Sequence, residues 1–171
     1  MQDHVRCRWA DPQDFEALGA VMYAAIHAEP SPYTKAQRLA WCPTPPSGPG
    51  WQARLASQHV AVVETGAVVK TGQPAGMLTL RSDGHLDLAF IRPEARGHGH
   101  LRALMTMICN RAQDMGLTQI TTHASLSAQA PFSALGFEVV QHEAVEYDGQ
   151  TLRRAEMVLD LKKAGPSGLM R

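Results

Sequence analysis

The chain has 171 residues, room for one domain rather than two, and its sixteen Lys and Arg balance sixteen Asp and Glu. A net charge of zero argues against nucleic-acid binding, which needs a basic excess, and 44% apolar residues suit a chain that buries a core. No run reaches the roughly 18 apolar residues of a membrane span, and the start Met1-Gln2-Asp3-His4 lacks the apolar stretch of a signal peptide. Cys7, Cys42 and Cys109 are widely spaced and form no Cys-x-x-Cys pair, which argues against a disulfide framework or structural zinc. The expectation is a cytoplasmic domain over residues 1–163, with a flexible tail over 164–171 and no membrane or nucleic-acid partner.

Val5 to Trp9 suit a first strand. Asp11-Pro12 reads as an N-cap followed by proline at the first helical position. Phe15, Leu18, Met22, Ala25 and Ile26 then recur at three- and four-residue intervals, the apolar face of a helix ending near His27. Ser31-Pro32 repeats the cap signal and predicts a short helix over Tyr33 to Trp41. Cys42 to Gly50 is rich in Pro and Gly and reads as a long functional or mobile loop, after which Trp51 to Leu55 adds a helical turn. His59 to Glu64, Pro74 to Arg81 and Leu86 to Ile91 are apolar or β-branched runs set off by Gly66, Gly72, Gly76 and Asp83-Gly84, an antiparallel meander. Leu101, Leu104, Met105, Ile108, Ala112 and Met115 follow a helical period closed by Gly116. A strand over Gln119 to Ala124, a short helix over Ala128 to Leu135 stopped by Gly136, and strands over Glu138 to Tyr147 and Leu152 to Leu161 complete the chain. The order is β-α-α-β-β-β-α-β-α-β-β, an α/β class.

The most informative stretch runs from Phe90 to Leu101: a strand, a loop Arg96-Gly97-His98-Gly99-His100, then an amphipathic helix. Amides at a helix N-terminus bind phosphate with the help of the dipole. Gly97 and Gly99 remove side chains where a pyrophosphate would approach, while Arg96 and Arg102 can add charge. The spacing is neither a dinucleotide fingerprint nor a P-loop. Glycines alone leave a tight turn and a phosphate cradle equally open.

Arg-Gly-x-Gly after Ile91-Arg92-Pro93-Glu94 resembles motif A of the GNAT superfamily of N-acetyltransferases, and Pro131 to Phe137 looks like that family's segment ending in Leu-Gly-Phe. The element order agrees from about residue 5 to 161. The resemblance implies a GNAT-type fold, a central mixed, mostly antiparallel sheet flanked by helices, and acetyl transfer from acetyl-CoA to a small-molecule or peptide amine. It implies that amides of Arg96, Gly97, His98, Gly99, His100 and Leu101 hold the pyrophosphate. Ala89, Phe90 and Ile91 would pair with the pantetheine arm, one amide polarising the thioester carbonyl. Ser125 falls where many relatives carry an Asn that contacts that arm, and a homodimer is common in the family. Two departures, Glu94 and Leu101, are tolerable where contacts are main-chain. Phe132 stands where relatives carry the Tyr proposed to protonate the departing thiolate, and a phenyl ring donates no proton. The alternative is therefore an acyl-CoA-binding module with little turnover, and whether the acyl group is acetyl or longer stays open.

An ammonium must lose a proton before it attacks a thioester. His85 and Asp87, two apart on one strand, are expected to share a face, and by motif spacing His85 takes the place where several relatives have a catalytic Glu. Asp87 is expected to hold the imidazole and raise its pKa; a solvated turn histidine and a backbone-bonded aspartate are the alternative. His98 and His100 are too few for a metal and read as flanking the phosphates. His123 reads as a core histidine, Cys109 as packed and inert, and Cys42 as a loop thiol without a partner. Tyr33, Trp41 and Trp51 bracket the Pro-rich loop and read as a lid and aromatic wall for the acceptor, with at least one of them in the core. No activated Ser or Cys is visible, so direct attack in a ternary complex is expected.

Overall fold

The computed structural model describes residues 5–64 and 74–164. β1 (Arg6–Trp9) leads through a 3-10 turn at Pro12–Asp14 into α1 (Phe15–Ile26), α2 (Lys35–Trp41) and α3 (Gly48–Ala56). Next come β2 (His59–Glu64), β3 (Gly76–Leu80) and β4 (His85–Ile91), a 3-10 turn at Pro93–Ala95, and α4 (His100–Asp114). β5 (Gln119–Ser125), α5 (Gln129–Ala134), β6 (Glu138–Tyr147) and β7 (Gln150–Asp160) follow. The strands form one seven-stranded sheet in the order β1-β2-β3-β4-β5-β7-β6, antiparallel throughout except for β4 and β5. That parallel pair needs a crossover, and α4 supplies it. Asp148 and Gly149, at φ 44° and 77°, close the β6–β7 hairpin as the two left-handed residues such a turn demands.

Each face of the sheet carries its own core. Leu104, Met105, Ile108 and Ala112 of α4 pack on Leu78, Leu86, Ile120 and Met157. Leu18, Val21 and Met22 of α1, with Trp51 and Leu55 of α3, pack on Val60, Val62, Met77 and Leu88. Leu86 and Leu88 would share a face in a regular strand, yet they serve opposite cores. Thr79 pairs with Leu88 whereas Leu80 pairs with Leu86, so Asp87 is an extra residue, a β-bulge. The Leu88 amide, drawn out of the ladder, donates to the Thr79 hydroxyl at 3.0 Å.

Beyond the bulge the sheet opens. β4 and β5 pair only at His85–Thr121 and Leu86–Thr122. β4 continues to Ile91 and β5 to Ser125, so over that stretch the main chain of β4 has no strand partner on its β5 side.

Several local expectations need correction. Helix α2 starts after Tyr33, because Thr34 and Gln37 form the capping box, with Gln37 N–H to Thr34 Oγ1 at 3.1 Å and Thr34 N–H to Gln37 Oε1 at 2.8 Å. Helix α3 reaches back to Gly48, since Pro49 is tolerated in a first turn whose amides need no helical acceptor. The Pro-rich loop is not a free lid: a Cβ on Gly19 of α1 would run into the Pro46 carbonyl, and Cys42 is buried in the α1–α3 core. Gly76 lies within β3 opposite Ile91, where any side chain would press on Ile91 and Val63. Ala164, expected in the tail, is buried. Gly66, Gly72 and the tail from residue 165 onward lie outside the described residues.

Candidate active site

Two cavities meet where β4 and β5 diverge. The first, about 330 Å³, runs from the end of β4 to the start of α4 and is lined by Ala89, Phe90, Ile91, Arg96, Gly97, Gly99, His100 and Leu101. Gly97 and Gly99 have φ of 79° and 78°, a conformation that side chains disfavour, and a Cβ at either would meet no protein atom. Both are therefore glycine for conformation and for clearance in front of the loop, not for packing behind it. The first helical bond of α4 runs from Ala103 N–H to Gly99 C=O at 3.1 Å, so the amides of His100 and Leu101 precede it and lack helical acceptors. A loop of open glycines at the positive end of a 15-residue helix, beside an unpaired strand edge, fits a pyrophosphate with an extended amide-bearing arm.

Side-chain charge contributes less here than expected. The Arg96 guanidinium is tied down, Nε donating to the Ile91 carbonyl at 3.3 Å and Nη2 to that of Ala25 at 3.1 Å. The His100 ring is buried, and burial, then His98 at 5.8 Å between ring centroids, holds its pKa below the ordinary imidazole value. His98 and Arg102 do not line the cavity.

The second cavity, about 270 Å³, lies on the α1–α3 face and shares Tyr33, Trp41, Ala89, Phe90, Ser125 and Phe132 with the first. His85, Asp87, Arg54, His123, Tyr147 and Arg154 supply its polar wall. The bulge turns Asp87 toward α3, where it meets Arg54 on both oxygens, Nε to Oδ2 at 2.9 Å and Nη2 to Oδ1 at 3.0 Å. Gln58 Nε2 adds a third bond to Oδ2 at 2.7 Å. Burial pushes this carboxyl up, but the Arg54 and Gln58 bonds outweigh it and hold the pKa below the usual carboxylate range.

His85 and Asp87 do line one cavity, yet the expected imidazole–carboxylate bond is absent. His85 Nδ1 is instead 3.0 Å from Thr121 Oγ1, the residue opposite it on β5. Its pKa moves down, opposite to expectation: burial comes first, then the neighbouring His123 and Arg81, and these outweigh Asp87 and Asp83. The ring is therefore neutral near pH 7. His123, expected in the core, faces this cavity with its ring centroid 5.0 Å from that of His85 and its Nδ1 2.6 Å from Glu143 Oε1. Arg154 Nε donates to the same oxygen at 3.0 Å.

The aromatic residues separate. Trp51 lines neither cavity: it is buried in the α1–α3 core with its indole N–H on the Phe15 carbonyl, which corrects its assignment to the acceptor wall. Trp41 and Tyr33 line both cavities, and the Tyr33 hydroxyl donates to the Arg153 carbonyl and accepts from the Leu126 amide at 2.9 Å. Phe132 is buried against Phe137 at the junction and carries no proton. The cysteines lie outside both cavities; burial pushes Cys109 up to about 12 and raises Cys42. Among the described residues no group of three or more His, Cys, Asp or Glu side chains could hold a metal ion, and no helix is long and apolar enough to cross a membrane. Arg54, Thr121, Glu143, Tyr147 and Arg154 escaped the sequence reading. Strand alternation along β5 and β7 would have put Thr121, His123 and Arg154 on the face away from α4, had the pairing been known.

Residues 50–159 match the acetyltransferase (GNAT) domain family. The chain belongs to the GNAT family. It is 27% identical over 148 residues to the uncharacterized N-acetyltransferase YafP of Escherichia coli K12, covering 86% of this chain and 90% of that one. In fold it is similar to a GCN5-related N-acetyltransferase of Rhodopseudomonas palustris, with a TM-score of 0.83 at 23% identity over 94% of this chain and 99% of that one. It is also similar to yncA of Salmonella typhimurium, solved with acetyl-CoA, with a TM-score of 0.63 at 20% identity over 92% and 94% of the two chains. The chain is thus a GNAT acetyltransferase.

Proposed function

We propose that this acetyltransferase moves an acetyl group to the primary amine of a small molecule by direct attack in a ternary complex. The observation that carries this reading is the meeting of two chemically distinct cavities at the unpaired edge of β4. One presents main-chain donors to a phosphate and an extended arm; the other presents titratable side chains to an acceptor. Acetyl-CoA supplies the activated acyl thioester. Amides of Arg96 through Leu101 hold its pyrophosphate, and the main chain of Ala89, Phe90 and Ile91 receives the pantetheine arm, with Ser125 at the opposite rim. Tyr33 and Trp41 wall the junction. The same reading takes residues 1–163 as one domain in a reducing, cytoplasmic setting, which three free cysteines suit.

His85 is the base. Its ring is neutral, its Nδ1 is fixed by Thr121, and Nε2 is the nitrogen left to take the proton that the amine loses. Asp87, saturated by Arg54 and Gln58, positions Arg54 rather than accepting a proton. Direct attack is favoured over an acetyl-enzyme because the thiols lie outside both cavities and the Ser125 hydroxyl is, among the described residues, hydrogen-bonded to the Ser127 hydroxyl at 3.4 Å rather than to a base.

The test is the pH dependence of kcat. A base with a lowered pKa works when neutral, so activity falls as pH drops through a value below 6.5, the ordinary imidazole pKa. In His85→Ala that limb disappears and kcat falls by about 10²–10⁴. Persistence of the limb in the variant removes His85 from the role.

A further inference from the structure

The acceptor cavity is lined by four basic side chains, Arg54, His85, His123 and Arg154, and by one acid, Asp87, in a chain whose charges otherwise balance. That acid is not available to a cation, because both its oxygens already take donors from Arg54 and Gln58. Glu143 is not part of the cavity wall, and its Oε1 is shared by His123 and Arg154. A polycationic acceptor therefore finds no open carboxylate where its second charge would rest.

An anion finds one. Arg54 spends its two-nitrogen edge on Asp87, whereas Arg154 spends only Nε on Glu143. The two terminal nitrogens of Arg154 make no hydrogen bond among the described residues, and a guanidinium edge matches a carboxylate in two parallel bonds. Glu143 fixes this guanidinium from behind, since Arg154 and Glu143 are directly paired between β7 and β6. The position also fits. Arg154 pairs with Ser125 at the tip of β5, while His85 pairs with Thr121 on the other side of the same strand. The two residues are four positions apart along β5, about 13 Å, as well as about 10 Å apart across two strand spacings. The side chains close this span: the His85 ring lies 5.0 Å from that of His123, whose Nδ1 shares Glu143 Oε1 with Arg154 Nε. Met22, Leu88, Val145 and Leu152 supply the remaining apolar wall.

We propose that the acceptor is a carboxylate-bearing amine, an apolar amino acid in its simplest form, whose carboxylate is received by Arg154 while its amine lies at His85. The inference rests on the acetyl-transfer reading above and names its substrate class. The experiment measures thiol release from acetyl-CoA with proteinogenic amino acids, with their methyl esters, and with spermidine. The free acids are expected to exceed their esters at least tenfold in kcat/KM, with the difference in KM. In Arg154→Gln that acid-to-ester ratio falls toward one, and Arg154→Lys restores part of it. Independently of turnover, the best amino acid is expected to raise the melting temperature of the CoA-bound wild type but not of CoA-bound Arg154→Gln, whose own response to CoA shows that it is folded. Esters or spermidine accepted as well as or better than the acids overturn the carboxylate site and leave acetyl transfer standing. Binding of CoA with no thiol release from any of these amines overturns both.

Discussion

The cavity beside α4 takes its glycine wall from one stretch, Ile91 to Leu101, with Ser31, Tyr33, Ser125 and Ser127 along its rim, whereas the cavity behind it takes its polar side chains from α3, β4, β5, β6 and β7. In the first, the donors on offer are main-chain amides at the start of α4. What the sequence must provide there is a conformation, two left-handed glycines at the start of a helix, and most neighbouring side chains are free to vary. Leu101 and Glu94 depart from the motif without disturbing that conformation. In the second cavity each polar group depends on another from a distant segment: Asp87 on Arg54, His85 on Thr121, His123 and Arg154 on Glu143. The lesson is that backbone sites tolerate substitution of side chains but not of dihedral angles, and side-chain sites behave in the opposite way.

Gly99→Val is the most severe way to break the first region. Its φ of 78° costs a β-branched residue about 1–2 kcal/mol, and the new side chain projects into the space in front of the loop rather than into protein. The expected outcome is loss of the CoA-induced rise in melting temperature, equivalent to an affinity at least a hundredfold weaker, with the unliganded melting temperature lower by only a few degrees. A wild-type response to CoA would remove this loop from the cofactor site.

A smaller effect is expected from Asp87→Asn in the second region. The Arg54–Asp87 pair is part-exposed, so its loss costs at most about 1 kcal/mol of stability, but it leaves Arg54 unanchored at the cavity wall. Acceptor kcat/KM should drop about tenfold with CoA affinity unchanged; a drop of 10² or more in kcat would instead make Asp87 the base. Phe132→Tyr probes the junction and should matter least. A thiol with a pKa of about 8.5 leaves without much help, so kcat should change by less than about threefold. A tenfold rise would show that protonation of the thiolate limits turnover.

The helices and strands were largely legible because their signals are local. The α4 period, the Asp148-Gly149 turn and the Asp83-Gly84 turn each depend on residues within a few positions of one another. The misjudged boundaries have local causes too: Thr34 and Gln37 outcompete Ser31-Pro32 as a cap, and that places Tyr33 outside the helix, free to bond across to β7. The bulge at Asp87 left no mark in the chain, because it is a property of how β3 and β4 pair and not of either strand alone.

By itself, then, the sequence determined the succession of strands and the glycine-bearing start of α4, since such a helix start carries its geometry wherever it is placed. By contrast α3, read only as a turn over Trp51 to Leu55, is a third helix before β2 that the expected order lacks. Only the tertiary structure decided which aromatics are core and which line the junction, and the direction in which His85 is shifted. It also decided that Asp87 answers to Arg54 rather than to His85. These are interactions between residues 29 to more than 100 positions apart in the chain, and their energies depend on distance and burial, quantities that exist only once the sheet has assembled.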